Sequence, residues 1–437
     1  MSGRRLLLLL VFLAGIGLPA GVLSAACANG SCEDRLERAA AVPFCPLAAD
    51  LRERLVNGYR EGRSPDVLGV ANGIPVYTEA DGGRTSWPDA SADARVPIVF
   101  WGTGVSGRAV TEDVGLDAIA PTVSEILGFE RPFPDVRSGR PIAGLANGER
   151  PRLVLLLAWK GVGSAELESA SRRQWRFLAS LLHDGSGTLE ASAGSLPLDP
   201  AATLTTIGTG GLPSQHGITG SFVRNDDGSV VEAFGVGAPV TVIASLADDL
   251  DHAHRASRVG AVLAEEVDRG IVGDGWYRGG DPVDITVGDS AAAPLAVEEN
   301  LGSGYGADER PDVLAVVLEG DIGSLDRWTH RIVGAAERRA RGSTLVVVAG
   351  TGSGADGRTA VEDDALVRVV EQAVPGGTPA VETVVPGGMF LDQDVLRREH
   401  VTGLVAADAM RSATAWDGEP LLADAFQGFA VSFARYC

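Results

Sequence analysis

The chain of 437 residues contains one lysine, Lys160, and it stands where the apolar run LVLLLAW ends and a glycine follows. Such a run reads as a strand buried on both faces. The carboxyl tip of a strand of this kind is where open α/β sheets bind ligands. An ammonium at that tip could draw in a phosphate, sulfate or carboxylate. It could equally pair with a carboxylate of the chain, and Asp321, at the end of the run DVLAVVLEGD, is the candidate. Nucleophilic chemistry needs an activated hydroxyl. Thr203, Thr205 and Thr206 in PAATLTTIGTG are possible sources, with Asp199 just ahead of them. Ser214 and His216 lie close together in LPSQHG, and Ser353 lies between glycines in TGSGAD, but neither has the full glycine-flanked elbow of a serine hydrolase. His252 and His254, in DLDHAHRAS, suit an exposed helix face, or a ligand pair if their loop folded back.

These residues need a scaffold. From Arg152 onward, apolar strand-like runs alternate with helical patterns: RLVLLLAW, ESASRRQWRFLASLLHDG, RVGAVLAEEV, PVDITVG, PDVLAVVLEG, HRIVGAAERRAR, STLVVVAG. That alternation predicts a three-layer α/β/α sandwich around a mostly parallel central sheet. Ahead of it, RVPIVFWGTGV reads as a buried strand and LDAIAPTVSEILG as an amphipathic helix stopped by Gly128. The helix ending in HDG is expected to close at Gly185, and 81–93 to be a loop rich in Gly, Ser, Pro and Asp. The net charge of −21 argues against a nucleic-acid partner, whose phosphates would repel the chain.

The N-terminus carries Arg4 and Arg5, then the apolar run LLLLLVFLAGIGLPAGVL, then small residues. This is the pattern of a secretory signal peptide over 1–26, or of an uncleaved membrane anchor. The protein is therefore expected outside the cytoplasm, secreted or attached to the outer face of the membrane. Cys27, Cys32, Cys45 and Cys437 are even in number, as disulfides in an exported chain would be, and allow three pairings.

Five stretches together resemble the alkaline phosphatase superfamily, especially its phosphodiesterase and nucleotide pyrophosphatase branch. RLVLLLAWKGVG resembles its first strand, and TIGTGGLPSQHGITG the segment after its nucleophile. PDVLAVVLEGDIGSL and STLVVVAGTGSG resemble its later metal-bearing strands, and RVPIVFWGTGVSG with LDAIAPTVSEILGFERP its C-terminal signature. The resemblance implies one domain over 27–437 in circularly permuted order. Residues 33–150 would correspond to the family's C-terminal part, and 151–437 to its N-terminal and central part. A permuted chain has its old ends close together, which favours the pairings Cys45–Cys437 and Cys27–Cys32.

The family binds paired metal ions, usually zinc, through Asp and His, and attacks phosphorus with Thr or Ser between them. Residue by residue, that machinery is missing. Lys160 stands at the first-strand aspartate and Pro200 at the nucleophile. Asp321 keeps an acid, but Leu325 replaces the histidine after it. Gly350 and Thr351 take the next ligand positions, and Ser86 the last histidine. His216 falls in a matched motif at a position that is structural in the family. The resemblance thus implies a pseudo-hydrolase with no cofactor, a binding or envelope module whose partner is a protein, a glycan or an anion at the Lys160 tip. The other reading is an active zinc phosphodiesterase with a rebuilt site, using Thr203 as nucleophile and Asp321 as a surviving ligand. A third, metal-independent reading would use Ser214 and His216.

Overall fold

The structure is a computed structural model that describes residues 44–437, apart from 72–75, 81–82, 88–93, 255, 274, 278–282, 353–358, 362–364, 377 and 415–417. Cys27, Cys32, the 1–26 segment and Ser353 lie outside the described residues.

Seven strands form the central sheet: β1 (Arg95–Gly102), β2 (Leu153–Trp159), β3 (Ser186–Ser192), β4 (Val259–Leu263), β5 (Asp284–Val287), β6 (Asp312–Leu318) and β7 (Thr344–Gly350). Their spatial order is β5-β4-β6-β2-β7-β1-β3. The pairs from β5 through β7 are parallel, while β1 runs antiparallel to both β7 and β3. The strand that precedes the lysine strand in sequence is thus the one that opposes the others. β2 sits between β6 and β7, and every one of its residues is buried.

That burial follows from helices on both faces. Val154, Leu156 and Ala158 pack with Val123, Leu204, Ile207 and Leu250, from the helices Ile119–Leu127, Pro200–Thr209 and Leu246–Ala253. The alternate residues Leu153, Leu155, Leu157 and Trp159 pack with Leu178, Val297, Leu325 and Ile332. Those lie in the helices Arg176–Asp184, Ala293–Ser303 and Ile322–Arg339. A strand covered on both sides loses the polar alternation of a half-exposed one. The three-layer architecture with a mostly parallel sheet is therefore present.

A second, four-stranded antiparallel sheet has its own apolar cluster, including Val67, Met389, Leu391, Met410 and Leu422. It pairs Val67–Ala71 with Leu422–Gln427, so the beginning and the end of the described chain lie side by side. Cys45 and Cys437 form a disulfide there, with Cα atoms 5.3 Å apart.

Two local expectations need correction, and a third holds for a different reason. Residues Gly83–Trp87, expected as loop, form a strand antiparallel to Val76–Ala80. The helix expected through ESASRRQWRFLASLLHDG is two, Ser164–Ser169 and Arg176–Asp184, with an extended backbone at Ala170 (ψ 147°) between them. Gly185 ends the second helix without a left-handed cap, at φ −115°. Its role is close approach, since a Cβ there would lie 2.3 Å from the Phe100 carbonyl oxygen.

Candidate functional site

The tips of β6, β2 and β7 lie abreast, with Trp159 paired to Leu318 on one side and to Gly350 on the other. Lys160 leaves the middle tip with its amide bonded to the Leu318 carbonyl at 2.8 Å. Its ammonium is mostly buried and faces three carboxylates. It bonds Glu265, lies 3.3 Å from Asp268 and 3.6 Å from Glu319. Glu265 and Asp268 come from the segment after β4, and Glu319 from the tip of β6. Asp321, the partner expected from sequence, does not join them. It caps the helix Ile322–Arg339, accepting from the Ser324 amide at 3.0 Å, and the Ser324 bonds hold its carboxyl below the usual range.

An anion arriving at this tip meets three carboxylates for one ammonium, so the expected free cation at Lys160 is instead neutralised within the chain. Burial alone would lower the Lys160 pKa, but the carboxylates, Asp268 foremost, outweigh it and raise it. Asp268 has no exposed side-chain surface. Burial lifts its carboxyl to about 6 against the opposing pull of Lys160.

The helix Pro200–Thr209 begins at the position where a nucleophile is expected. Pro200 takes its first turn, where a missing N–H costs nothing. Asp199 caps it from a fully enclosed position, accepting from the Ala201 amide at 2.9 Å, the Ser221 amide at 2.9 Å and the Ser221 hydroxyl at 3.0 Å. A helix N-terminus attracts anions, and here the chain's own carboxylate takes that place. Leu198, just before the cap, lies against Gly352 beyond the β7 tip, 2.9 Å from where a Cβ would stand.

The threonines of this helix are turned inward. Thr203 donates to the Asp199 and Pro200 carbonyls, both at 3.1 Å, Thr205 to Ala201 at 2.7 Å and Thr206 to Ala202 at 3.1 Å. All three are fully buried. Thr203 therefore satisfies its own helix and is not aimed at the strand tips.

His216 is equally enclosed. The Ile218 amide donates to Nδ1 at 3.2 Å, which leaves the proton on Nε2, facing Thr206 Oγ1 at 3.1 Å. Burial lowers its pKa to about 3. With both ring nitrogens engaged, His216 cannot serve Ser214, and the serine-hydrolase reading fails on this geometry. His252 stacks on Tyr277 at 4.2 Å and His254 meets Phe129 edge-on at 6.1 Å. The Tyr277 hydroxyl bonds Asp249, which connects through Arg131 to the Thr209 carbonyl. That is the far end of the ten-residue helix from Asp199, about 15 Å away at the standard rise.

Comparison with known proteins gives short matches. A calcium-transporting ATPase of Myroides odoratus is 38% identical over 93 residues, 21% of this chain and 17% of that protein. The alkaline phosphatase PafA of Elizabethkingia meningoseptica is 29% identical over 94 residues, 21% of this chain and 16% of that one. The alkaline phosphatase PhoV of Synechococcus elongatus is 30% identical over 88 residues, 20% of this chain and 16% of that one. This chain therefore matches about a sixth of the length of these curated relatives. Over these short stretches, the chain is similar to two alkaline phosphatases. No family model matches the sequence. A solved phosphonoacetate hydrolase from Sinorhizobium meliloti 1021 is 16% identical with a TM-score of 0.29, covering 46% of this chain and 57% of that one. That likeness is too low to bear on the fold.

Paired zinc ions, which the superfamily implies, need imidazole or carboxylate donors. The corresponding positions offer an ammonium at Lys160 and, at Leu325, a side chain buried between helix and sheet. Thr351 accepts the Gly161 amide at 2.9 Å. Ser86 lies in the strand Gly83–Trp87. Gly350 has no room for a side chain, because a Cβ would lie 2.2 Å from the Val162 carbonyl oxygen and 2.8 Å from Pro97 Cδ. Among the described residues, no three His, Cys, Asp or Glu side chains are grouped to hold a metal ion. The residues present do not fit the pair of metals.

Restoring an acid by Gly350→Asp is therefore expected to destabilise by about 1–3 kcal/mol, as overpacking does. The urea midpoint should fall, and added zinc should not recover it. A midpoint that rises with zinc would contradict the crowding seen here.

The titrations of Asp268 and His216 oppose each other. Native Asp268 keeps its proton up to about 6, whereas the unfolded carboxyl releases it near about 4, so stability falls as pH rises through that window. Native His216 stays neutral down to about 3, whereas the unfolded imidazole protonates below about 6.5, so stability falls as pH drops through its window. Asp268→Asn removes the first slope and leaves the second. Thermal melts should then show a steeper acid loss than in the parent chain; superimposable profiles would count against the buried, proton-holding Asp268.

Proposed function

We propose that this chain is a noncatalytic member of the alkaline phosphatase superfamily, acting outside the cytoplasm as a binding or envelope module. One observation carries the reading. The helix that should present a nucleophile begins with Pro200, and the buried carboxylate of Asp199 already fills its N-terminus. A phosphoryl group would find no open anion cradle at that end, and the Ser221 hydroxyl there is already engaged by Asp199. The Lys160 ammonium, ringed by Glu265, Asp268 and Glu319, supports the same reading from the neighbouring strand tip. It sits as a built-in cation among acids that would otherwise repel one another.

The Cys45–Cys437 disulfide fits an oxidising compartment. No helix among the described residues is long and apolar enough to cross a membrane. The permuted order is part of this proposal. Its support is the adjacency of the described chain's two ends, with Val67–Ala71 paired to Leu422–Gln427. The partner is a protein or a glycan, since the Lys160 tip no longer offers an unpaired cation.

Hydrolysis of a chromogenic phosphodiester by the purified chain, with and without added zinc, tests the proposal. No turnover above background is expected in either condition. Turnover that requires zinc and disappears in Thr203→Ala would overturn it in favour of a rebuilt active site.

A further inference from the structure

The last segment, Gly428–Tyr436, is a 3₁₀ helix with apolar residues on two faces. Ala430 and Val431 on the inner face are buried with Phe44, Leu51, Leu55 and Phe426. Phe429 and Phe433 on the outer face are 49% and 42% exposed. Their rings nevertheless meet, with centroids 5.7 Å apart, and the Tyr436 ring follows at 6.1 Å from Phe433. The Arg435 guanidinium lies over the Tyr436 ring at 4.8 Å. The inner residues already serve the core, so the aromatic row serves something else. Contiguous apolar surface left in water costs free energy until a partner covers it.

The position of the row identifies its partner. Cys437, four residues after Phe433, is bonded to Cys45, and the described chain begins at Phe44. The 43 residues before that point include the apolar run from Leu6 to Leu23, preceded by Arg4 and Arg5. A bilayer that holds this run is tethered to the same corner of the fold that carries the row. Tethering makes a second, weak contact effectively intramolecular. Aromatic rings with a neighbouring arginine are the composition favoured at the membrane interface.

We propose that the Phe429–Phe433 face, flanked by Tyr436 and Arg435, rests on the lipid interface while the N-terminal run is held in the membrane. The proposal rests on the reading of that run as an uncleaved anchor. The net charge of −21 excludes general attraction to anionic lipid, so ring burial must supply the contact. Neutral lipid should suffice, and salt should not weaken it.

The test uses the full chain, reconstituted in phosphatidylcholine vesicles and recovered by flotation. Phe433→Trp introduces a reporter, and Phe133→Trp, on a separate loop and 77% exposed in the parent, is the control. Brominated acyl chains should quench most of the added emission in Phe433→Trp at low and high salt alike, and little of it in Phe133→Trp. Equal quenching in the two variants overturns the docked face while leaving the anchor intact. A chain that does not float with the vesicles overturns both the anchor and the face.

Discussion

Asp249→Ala is expected to cost about 3–5 kcal/mol, the penalty for leaving buried charges without their partner. Asp249 has no exposed side-chain surface and joins two arginines that are themselves almost fully enclosed. Arg131 Nε donates to it at 2.8 Å and Arg137 Nη2 at 3.2 Å, while the Tyr277 hydroxyl donates to its other oxygen at 2.8 Å. The arginines reach onward. Arg131 bonds the Thr209 carbonyl at 2.8 Å, at the negative end of the helix Pro200–Thr209. Both arginines bond the Ala244 carbonyl at 3.1 Å. Even with this carboxylate present, burial brings the Arg131 pKa down to about 10. Removing the acid leaves two almost fully enclosed guanidinium groups without their carboxylate. Whole domains are stable by only about 5–15 kcal/mol, so the urea midpoint should drop sharply. A loss under about 1 kcal/mol, the value of an exposed ion pair, would contradict the enclosed geometry.

Cys437→Ser is the second large effect. The disulfide joins residues 392 apart in sequence, so its loss frees nearly the whole described chain in the unfolded state. Constraint of loops this long is worth about 2–5 kcal/mol. The variant and the reduced parent should lose most of the same stability. A parent whose melting is indifferent to reductant would show that the bridge is not what holds the two ends of the fold together.

Much of the scaffold was readable because its signals are local. The runs at Leu153–Trp159, Asp312–Leu318 and Thr344–Gly350 are apolar enough to need cover on both faces, which dictates helices on either side of a parallel sheet. Helix stops were readable where chemistry at the ends is decisive. Gly128 takes the left-handed conformation at φ 73° where its helix stops. Gly185 closes its helix as expected, but its need for glycine comes from Phe100, on a strand far away in sequence.

The sequence shows which residues stand at the strand tips but not which residues they meet. Nothing near Lys160 in sequence announces Glu265 or Asp268, which arrive from another strand crossover. The acidic string AEEVD, placed just past β4, was the one available hint. The Arg131–Asp249–Arg137 cluster was hidden for the same reason. FERPFPDVR reads as an extended loop, and only tertiary packing brings its arginines to Asp249 of the helix Leu246–Ala253. The second sheet unites Val67–Ala71 with Leu422–Gln427, a pairing that no local pattern encodes.

The central claim is that the strand tips of this fold no longer hold metal. Zinc content of the chain, folded in excess zinc, freed of loose ions by gel filtration and measured by plasma emission, tests it most directly. The account predicts far less zinc than chain. Two zinc ions per chain, retained through the column and lost on mutation of Asp321 or Thr203, would contradict it.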